Sequence, residues 1–287
     1  MNEIALKESD VSKLKKYPLD GIWSSESIIY YYKKDDNMNS ILIKKLHITD
    51  TKLVNKKIDT IKRIKDSELS EYKELILPED IIVVGGIKAG FTISEVIDST
   101  TLGELLKNKK IPNSTKLEAL KKVGELIRKV QCQNQEFYFG DVHEFNFLIG
   151  KNQEISVIDL DSASVSKKRL GISTYIVMDQ KTHNISKYRV KNYVNSYPSI
   201  STDNYCYNTM VLNFLAGERL YKLSYDEYFA YIEYLYDVGI IPSEMRDIYI
   251  NHYTDKKNKL VVDYLDKVPT SYERGCYNVY KALQKIK

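Results

Sequence analysis

Residues 139 to 162 read FGDVHEFNFLIGKNQEISVIDLDS, and the fold turns on how this stretch is read. Asp141, His143 and Asn146 stand inside six residues, and Asp159 and Asp161 close an apolar run. Phe147-Leu148-Ile149 and the run from Ile155 to Leu160 are of strand length and rich in β-branched and aromatic side chains, which predicts two strands. Gly150-Lys151-Asn152-Gln153 between them predicts a hairpin loop. Antiparallel pairing then brings the Asp and Asn before the first strand towards the carboxylate after the second. That geometry suits a divalent cation and a phosphate. An Asp or Asn ahead of a strand is commonly a turn former. A carboxylate ending a buried apolar run is less ordinary, because it needs a partner.

Composition sets the frame around this stretch. A chain of 287 residues, 43 % hydrophobic, has room for two small lobes or one large domain with a real core. No run approaches 18 apolar residues, so no membrane span is expected. The leading MNEIALKESDVSKLKKY lacks the apolar centre of a signal peptide. Net charge is only +4, with 43 basic residues spread among 39 acidic ones, which does not point to nucleic acid. Cys132, Cys206 and Cys276 are far apart and odd in number, so free buried thiols and a reducing, cytoplasmic setting are expected. Asp141-Val142-His143 could also be a D-x-H of a two-metal phosphoesterase. That chemistry needs more His ligands, and His47, His183 and His252 do not cluster with it.

The pattern GD-x-H-x-x-N-x-L followed by IDLDS resembles the catalytic and metal-binding loops of the protein-kinase-like superfamily. It looks more like the aminoglycoside phosphotransferase and atypical bacterial kinase branches than the HRD type. The resemblance implies that Asp141 is the catalytic aspartate, and that Asn146 helps hold a second metal. It implies that Asp159 is the main Mg²⁺ ligand, with Asp161 beside it at the metal and His143 in support. Phe139-Gly140 replaces the His-Arg of HRD kinases, and Asp161 replaces the glycine of DFG. Without that Arg, switching by a phosphorylated loop residue is not expected, and without that glycine neither is an in–out flip of the segment.

From that anchor the chain reads outward. Residues 1 to 16 predict a short leading helix. The stretch from Tyr17 to Ser27 stands where a kinase-like chain covers phosphate, with Gly21, Ser24 and Ser25 as the candidate contacts. Ser40 to Leu46, SILIKKL, predicts a strand resembling the one that carries the phosphate-contacting lysine. Lys44 is the choice there, with Lys45 on the other face. Thr51 to Lys65 predicts a helix with Leu53, Ile58, Ile61 and Ile64 near one face. The resemblance makes this the helix whose acid pairs with the strand lysine, and Asp59 is the best-placed acid. Strands are expected at Ile81 to Val84 and Phe91 to Ile97. The segment from Ser94 to Ile97, including Glu95 and Ile97, is the implied backbone contact for adenine.

Capping boxes at Thr101/Glu104, Thr115/Glu118 and Ser224/Glu227 predict three helix starts. Leu117, Leu120, Val123, Ile127 and Val130 recur at helical spacing ahead of the Asp141 loop. Ser162 to Ile200 occupies the place of an activation segment. Asp203 opens a very apolar helix, and the resemblance makes it the acid that holds the catalytic-loop backbone. The tail from Pro242 onward reads as helical.

The resulting expectation is an α+β, bilobal kinase-like fold, with a β-rich lobe over residues 1–97 and a helical lobe over 98–287. The expected activity is Mg²⁺- and ATP-dependent transfer of a phosphoryl group to a hydroxyl. The Tyr- and Lys-rich second lobe tilts the acceptor towards a protein. A small-molecule kinase and a binding module without transfer are the alternatives.

Overall fold

The computed structural model describes residues 1–18, 27–34, 40–47, 50–134, 137–165, 200–217, 220, 223–251, 259–271 and 284. The protein is α+β, an N-terminal five-stranded mixed sheet followed by a largely helical C-terminal region. It divides into two compact units. The first comprises residues 1–100 and 148–162, and the second residues 101–147 and 163–287.

The first unit is built on strands β1 (Glu3–Leu6), β2 (Ser27–Lys34), β3 (Ser40–Leu46), β4 (Ile81–Val84) and β5 (Ile87–Ser94), in the order β1-β4-β5-β3-β2. The leading residues do not form the expected helix. Ile4 and Leu6 alternate with exposed Glu3 and Ala5, and β1 pairs in parallel with β4, Glu3 opposite Ile81 and Leu6 opposite Val84. Only Glu8–Val11 is helical (α1). A period of two over four residues won over the local helix propensity.

β3 lies between β2 and β5, and its alternating side chains divide between the two faces. Ile43 joins Val11, Ile82 and Val84 on one face. On that face Lys45 reaches Glu8 of α1 at 3.2 Å. Lys44 therefore points to the opposite face.

Helix α2 (Thr51–Lys65) runs over the predicted residues. The Asp50 carboxylate accepts from Lys52 N at 2.8 Å, and Lys62, Arg63 and Lys65 occupy the last turn. Val54, Ile58, Ile61 and Ile64 are buried in a stripe, with Lys57 and Thr60 beside them. Strand β5 ends at Ser94, short of the expected Ile97, and the short β6 (Ser99–Thr101) follows. The predicted hairpin is present as β8 (Phe147–Gly150) and β9 (Ile155–Val157). Val157 N donates to Glu74 O at 2.7 Å and Ile76 N to Val157 O at 2.9 Å, which ties β9 into this unit.

In the second unit a capping box at Thr101 and Glu104 opens α3 (Leu102–Lys107) as expected. Helix α4 (Asn113–Gln133) starts earlier than its expected box, so Thr115 lies inside the helix. Pro112 stands at the helix entry, where its missing N–H costs nothing. The short β7 (Phe137–Tyr138) pairs antiparallel with β10 (Ser164–Val165). Leu117, Leu120, Val123, Ile127 and Val130 of α4 are buried, as is nearly the whole of α5 (Ile200–Ala216). Tyr207 of α5 donates to Leu120 O at 2.8 Å. Asn208 donates to Lys259 O at 2.7 Å and accepts from Val261 N at 3.0 Å. Ser224 and Glu227 form the expected capping box of α6 (Tyr225–Asp237), and α7 (Ser243–Asn251) follows. After α7, the described residues 259–271 hold a 3₁₀ helix over Val261–Lys267, and Gln284 is helical. Of the cysteines, Cys206 is buried and Cys132 is exposed, contrary to the expectation of buried thiols throughout, while Cys276 lies outside the described residues.

Gly124 of α4 packs closely against Tyr207 of α5. A Cβ there would stand 2.5 Å from Tyr207 Oη and 2.8 Å from Val262 Cβ. In an open helix Gly→Ala would stabilise by about 1 kcal/mol. Here overpacking outweighs propensity, and Gly124→Ala is expected to destabilise the chain by roughly 1–3 kcal/mol, read as a lower urea midpoint. A raised midpoint would show that Tyr207 moves aside freely.

Candidate functional site

Among the described residues each unit carries a polar constellation that bears on chemistry. In the first unit Lys44, on β3, projects onto the face covered by α2 and is engaged by two carboxylates from beyond β9. Its Nζ contacts Asp159 Oδ1 very closely and Asp161 Oδ1 at 2.9 Å. β9 ends at Val157 rather than continuing to Leu160, because Asp159 takes φ 64° and a 3₁₀ turn over Leu160–Ser162 follows. A non-glycine residue in the left-handed region carries a conformational cost. In this conformation its carboxylate meets Lys44.

The two carboxylates differ sharply. Asp161 is 1 % exposed, whereas the Asp159 side chain keeps 38 % of its surface open. Burial pushes the Asp161 carboxyl up, but Lys44, the hydrogen bond with Asp159 and Lys57 together hold it far below the usual carboxylate range. The Asp159 carboxyl is displaced upward, by burial first and then by the neighbouring charge of Asp161, against the pull of Lys44. Its open side makes that upward push smaller than for a sealed carboxyl. Burial draws the Lys44 ammonium down, and Asp159 and Asp161 more than offset this, so its pKa is raised.

Helix α2 supplies a residue the sequence reading missed. Asp59, the expected acid partner of Lys44, is exposed. Instead Lys57, 4 % exposed, points inward, with Nζ 3.4 Å from Asp161 Oδ2 and 3.3 Å from Ser162 Oγ. The cause is helical phase. Position 57 falls on the stripe of Val54, Ile58, Ile61 and Ile64, while position 59 is turned about 200° from it. A lysine inside an apolar stripe was the legible signal. Among the described residues Asp161 Oδ2 accepts no hydrogen bond, so Lys57 holds it by charge alone.

The second unit holds the Asp141 loop. Phe139 N and Gly140 N donate to Asp203 Oδ2 and Oδ1 at 2.8 and 3.0 Å. Asp203 is wholly buried, in the first turn of α5. Burial lifts its carboxyl to about 7, against the two N–H donors, with the nearby charge of Asp141 adding to the rise. Gly140 has φ 76°, a left-handed conformation that glycine takes without strain, and the chain bends there ahead of Asp141. Asn146 donates from Nδ2 to Asp141 O at 2.9 Å and from its backbone N to His143 O at 3.0 Å, closing the loop on itself. Phe145 N donates to His143 Nδ1 at 3.1 Å. That leaves the ring proton on Nε2, which faces Asp141 Oδ2 at 3.5 Å.

The remaining expected residues are placed as follows. Glu95 N is bonded to Ser40 O at 2.9 Å and is already used by the sheet, so this amide is not open to adenine. The Tyr17 hydroxyl is pushed up to about 12 by burial and by its hydrogen bond with Glu95. Ile97 is 55 % exposed. Gly21, Ser24 and Ser25 lie outside the described residues, as does most of the expected activation segment. Among the described residues no three of His, Cys, Asp and Glu gather into a metal cage, and no helix is long and apolar enough to cross a membrane. No family model matches the chain, and no curated protein matches its sequence.

Proposed function

We propose that the chain is an ATP- and Mg²⁺-dependent phosphotransferase of kinase-like fold that moves the γ-phosphate to a hydroxyl, with a protein as the favoured acceptor. The observation that carries this reading is Lys44. A lysine on an inner strand of the sheet is held by two carboxylates that follow it by 115 and 117 residues, where a lone strand lysine would ordinarily be solvated. The anchoring of the Asp141 loop by Asp203 supports it independently.

In this reading Lys44 contacts the α- and β-phosphates, Asp141 orients the acceptor hydroxyl and takes its proton, and His143 holds Asp141 in place. Asp159 is the residue of the first unit to hold Mg²⁺, and Asn146 of the second unit keeps the second-metal role that the resemblance implies. The half-open Asp159 fits such an ion, because Mg²⁺ takes one or two carboxylates and completes its shell with phosphate oxygens and water. Once bound, the ion offsets charge on the transferring phosphoryl group.

Incubation with γ-labelled ATP and Mg²⁺, alone and with a cell lysate, tests the reading. Labelled protein bands are the expected result, label confined to small molecules would point to a small-molecule kinase, and no transfer would reject the activity. Mg-ATP is also expected to raise the melting temperature, and Asp159→Ala to remove most of the Mg²⁺-dependent part. An unchanged Mg²⁺ dependence in that variant would take Asp159 out of the site.

A further inference from the structure

We infer that Asp161 is the fixed counter-ion of Lys44, a positioning residue that holds the ammonium in place when Asp159 leaves it for the metal. The inference rests on the phosphotransferase reading for what Lys44 then meets, and on the geometry of the first unit for the rest. A buried ammonium needs a carboxylate that stays with it. Helix α2 covers the face of β3 that carries Lys44, but its single acid, Asp59, is exposed. The side chain that α2 sends inward beside Asp161 is Lys57, so this helix offers Lys44 no carboxylate.

The turn after β9 supplies two carboxylates instead, and they are not equivalent. Asp161 Oδ1 stands 2.9 Å from Lys44 Nζ with 2 % of its side chain exposed, against 38 % for Asp159. Asp161 lies inside the 3₁₀ turn next to buried Leu160, whereas Asp159 stands ahead of that turn. A ligand approaching the cluster therefore meets Asp159 first. An ammonium has three donors, of which Asp159 and Asp161 each take one. Release of Asp159 frees its donor for a phosphate oxygen, while the bond to Asp161 still fixes where Nζ stands. Asp161 is also poorly placed as a metal ligand. Its Oδ1 is taken by Lys44, and its buried Oδ2 stands 3.4 Å from Lys57 Nζ, so an ion bound there would lie against an ammonium.

The probe is a fluorescent ATP analogue, titrated into the full chain in Mg²⁺ and again in excess EDTA. Asp161→Asn is expected to bind it about tenfold more weakly than the parent in both media, the size of one lost charge-assisted hydrogen bond. In a Lys44→Met background the same substitution is expected to change the affinity by less than about twofold, because no ammonium remains to be placed. Asp161→Glu keeps the charge but moves it by one methylene, and its loss should fall between parent and Asp161→Asn. It takes the place of Asp161→Asn in both backgrounds if the latter does not fold by circular dichroism.

A loss confined to Mg²⁺ would return Asp161 to the metal shell and overturn the inference, as would no loss at all. An equal loss with and without the Lys44 ammonium would overturn it too, since a role in the stability of the turn alone gives that result. If the parent chain binds no nucleotide, the phosphotransferase reading falls, and urea unfolding of the parent, the two single variants and the double variant decides the role of Asp161. Losses that overlap in the double variant would sustain its hold on Lys44, and losses that simply add would overturn it.

Discussion

Asp141→Asn is expected to transfer phosphate about 10²–10⁴-fold more slowly than the parent chain, with Mg-ATP affinity little changed. The substitution keeps the size of the side chain and removes its charge and its capacity to accept a proton. The loop should survive it, since its anchors are backbone groups. Phe139 N and Gly140 N go to Asp203, and the Asn146 amide goes to the Asp141 carbonyl. The Nε2–H of His143 faces the Asp141 carboxylate and can equally face an amide oxygen. Nucleotide affinity and initial rate are to be measured on the same preparations. Transfer at the parent rate would refute the assignment of the catalytic loop, and loss of metal binding instead of rate would favour the phosphoesterase chemistry.

The second large effect is expected at Asp203. Asp203→Ala strands the two amides it accepts from, both on buried residues, and at about 1–3 kcal/mol for each unsatisfied group the loss is roughly 2–6 kcal/mol. Asp203→Asn keeps one acceptor and sets an NH₂ against the other amide, so about half of that loss is expected.

The pH dependence has a definite sign. Burial raises Asp203 to about 7 in the folded chain, above the ordinary value of about 3.9 for an unfolded Asp. Between these values the folded state binds more protons. The stability this group contributes is complete below about pH 4 and is lost as the pH rises through about 7. Urea unfolding at pH 5 and pH 8 should therefore show a smaller difference for Asp203→Asn than for the parent chain. An equal difference would mean that Asp203 stays ionised throughout, held by its two N–H donors.

Much of this arrangement was legible in the residues. Helix α2 could be read because Leu53, Ile58, Ile61 and Ile64 fall near one face at helical spacing, although the structure buries Val54 rather than Leu53 at the head of the stripe. The hairpin β8–β9 could be read because two β-branched runs flank a polar turn. The Lys44/Lys45 division followed from strand alternation, a local rule that holds wherever the strand lies. Local periodicity fails where pairing is remote. β1 is a strand because β4, some seventy-five residues on, offers it a parallel edge, and nothing within residues 1 to 16 announces that partner.

The amino-acid sequence by itself determined which side chains were available for chemistry. These were the Asp141–Asn146 loop, the carboxylates after the second hairpin strand, a lysine on an inner strand and an acid at the head of an apolar helix. Only the tertiary structure decided how they are paired. It gave Lys44 to Asp159 and Asp161, turned Asp59 to solvent, and brought Lys57 inward to Asp161. Partner choice among charged groups depends on distance and burial. Those are set by how α2 and the turn after β9 pack, more than a hundred residues apart in the chain.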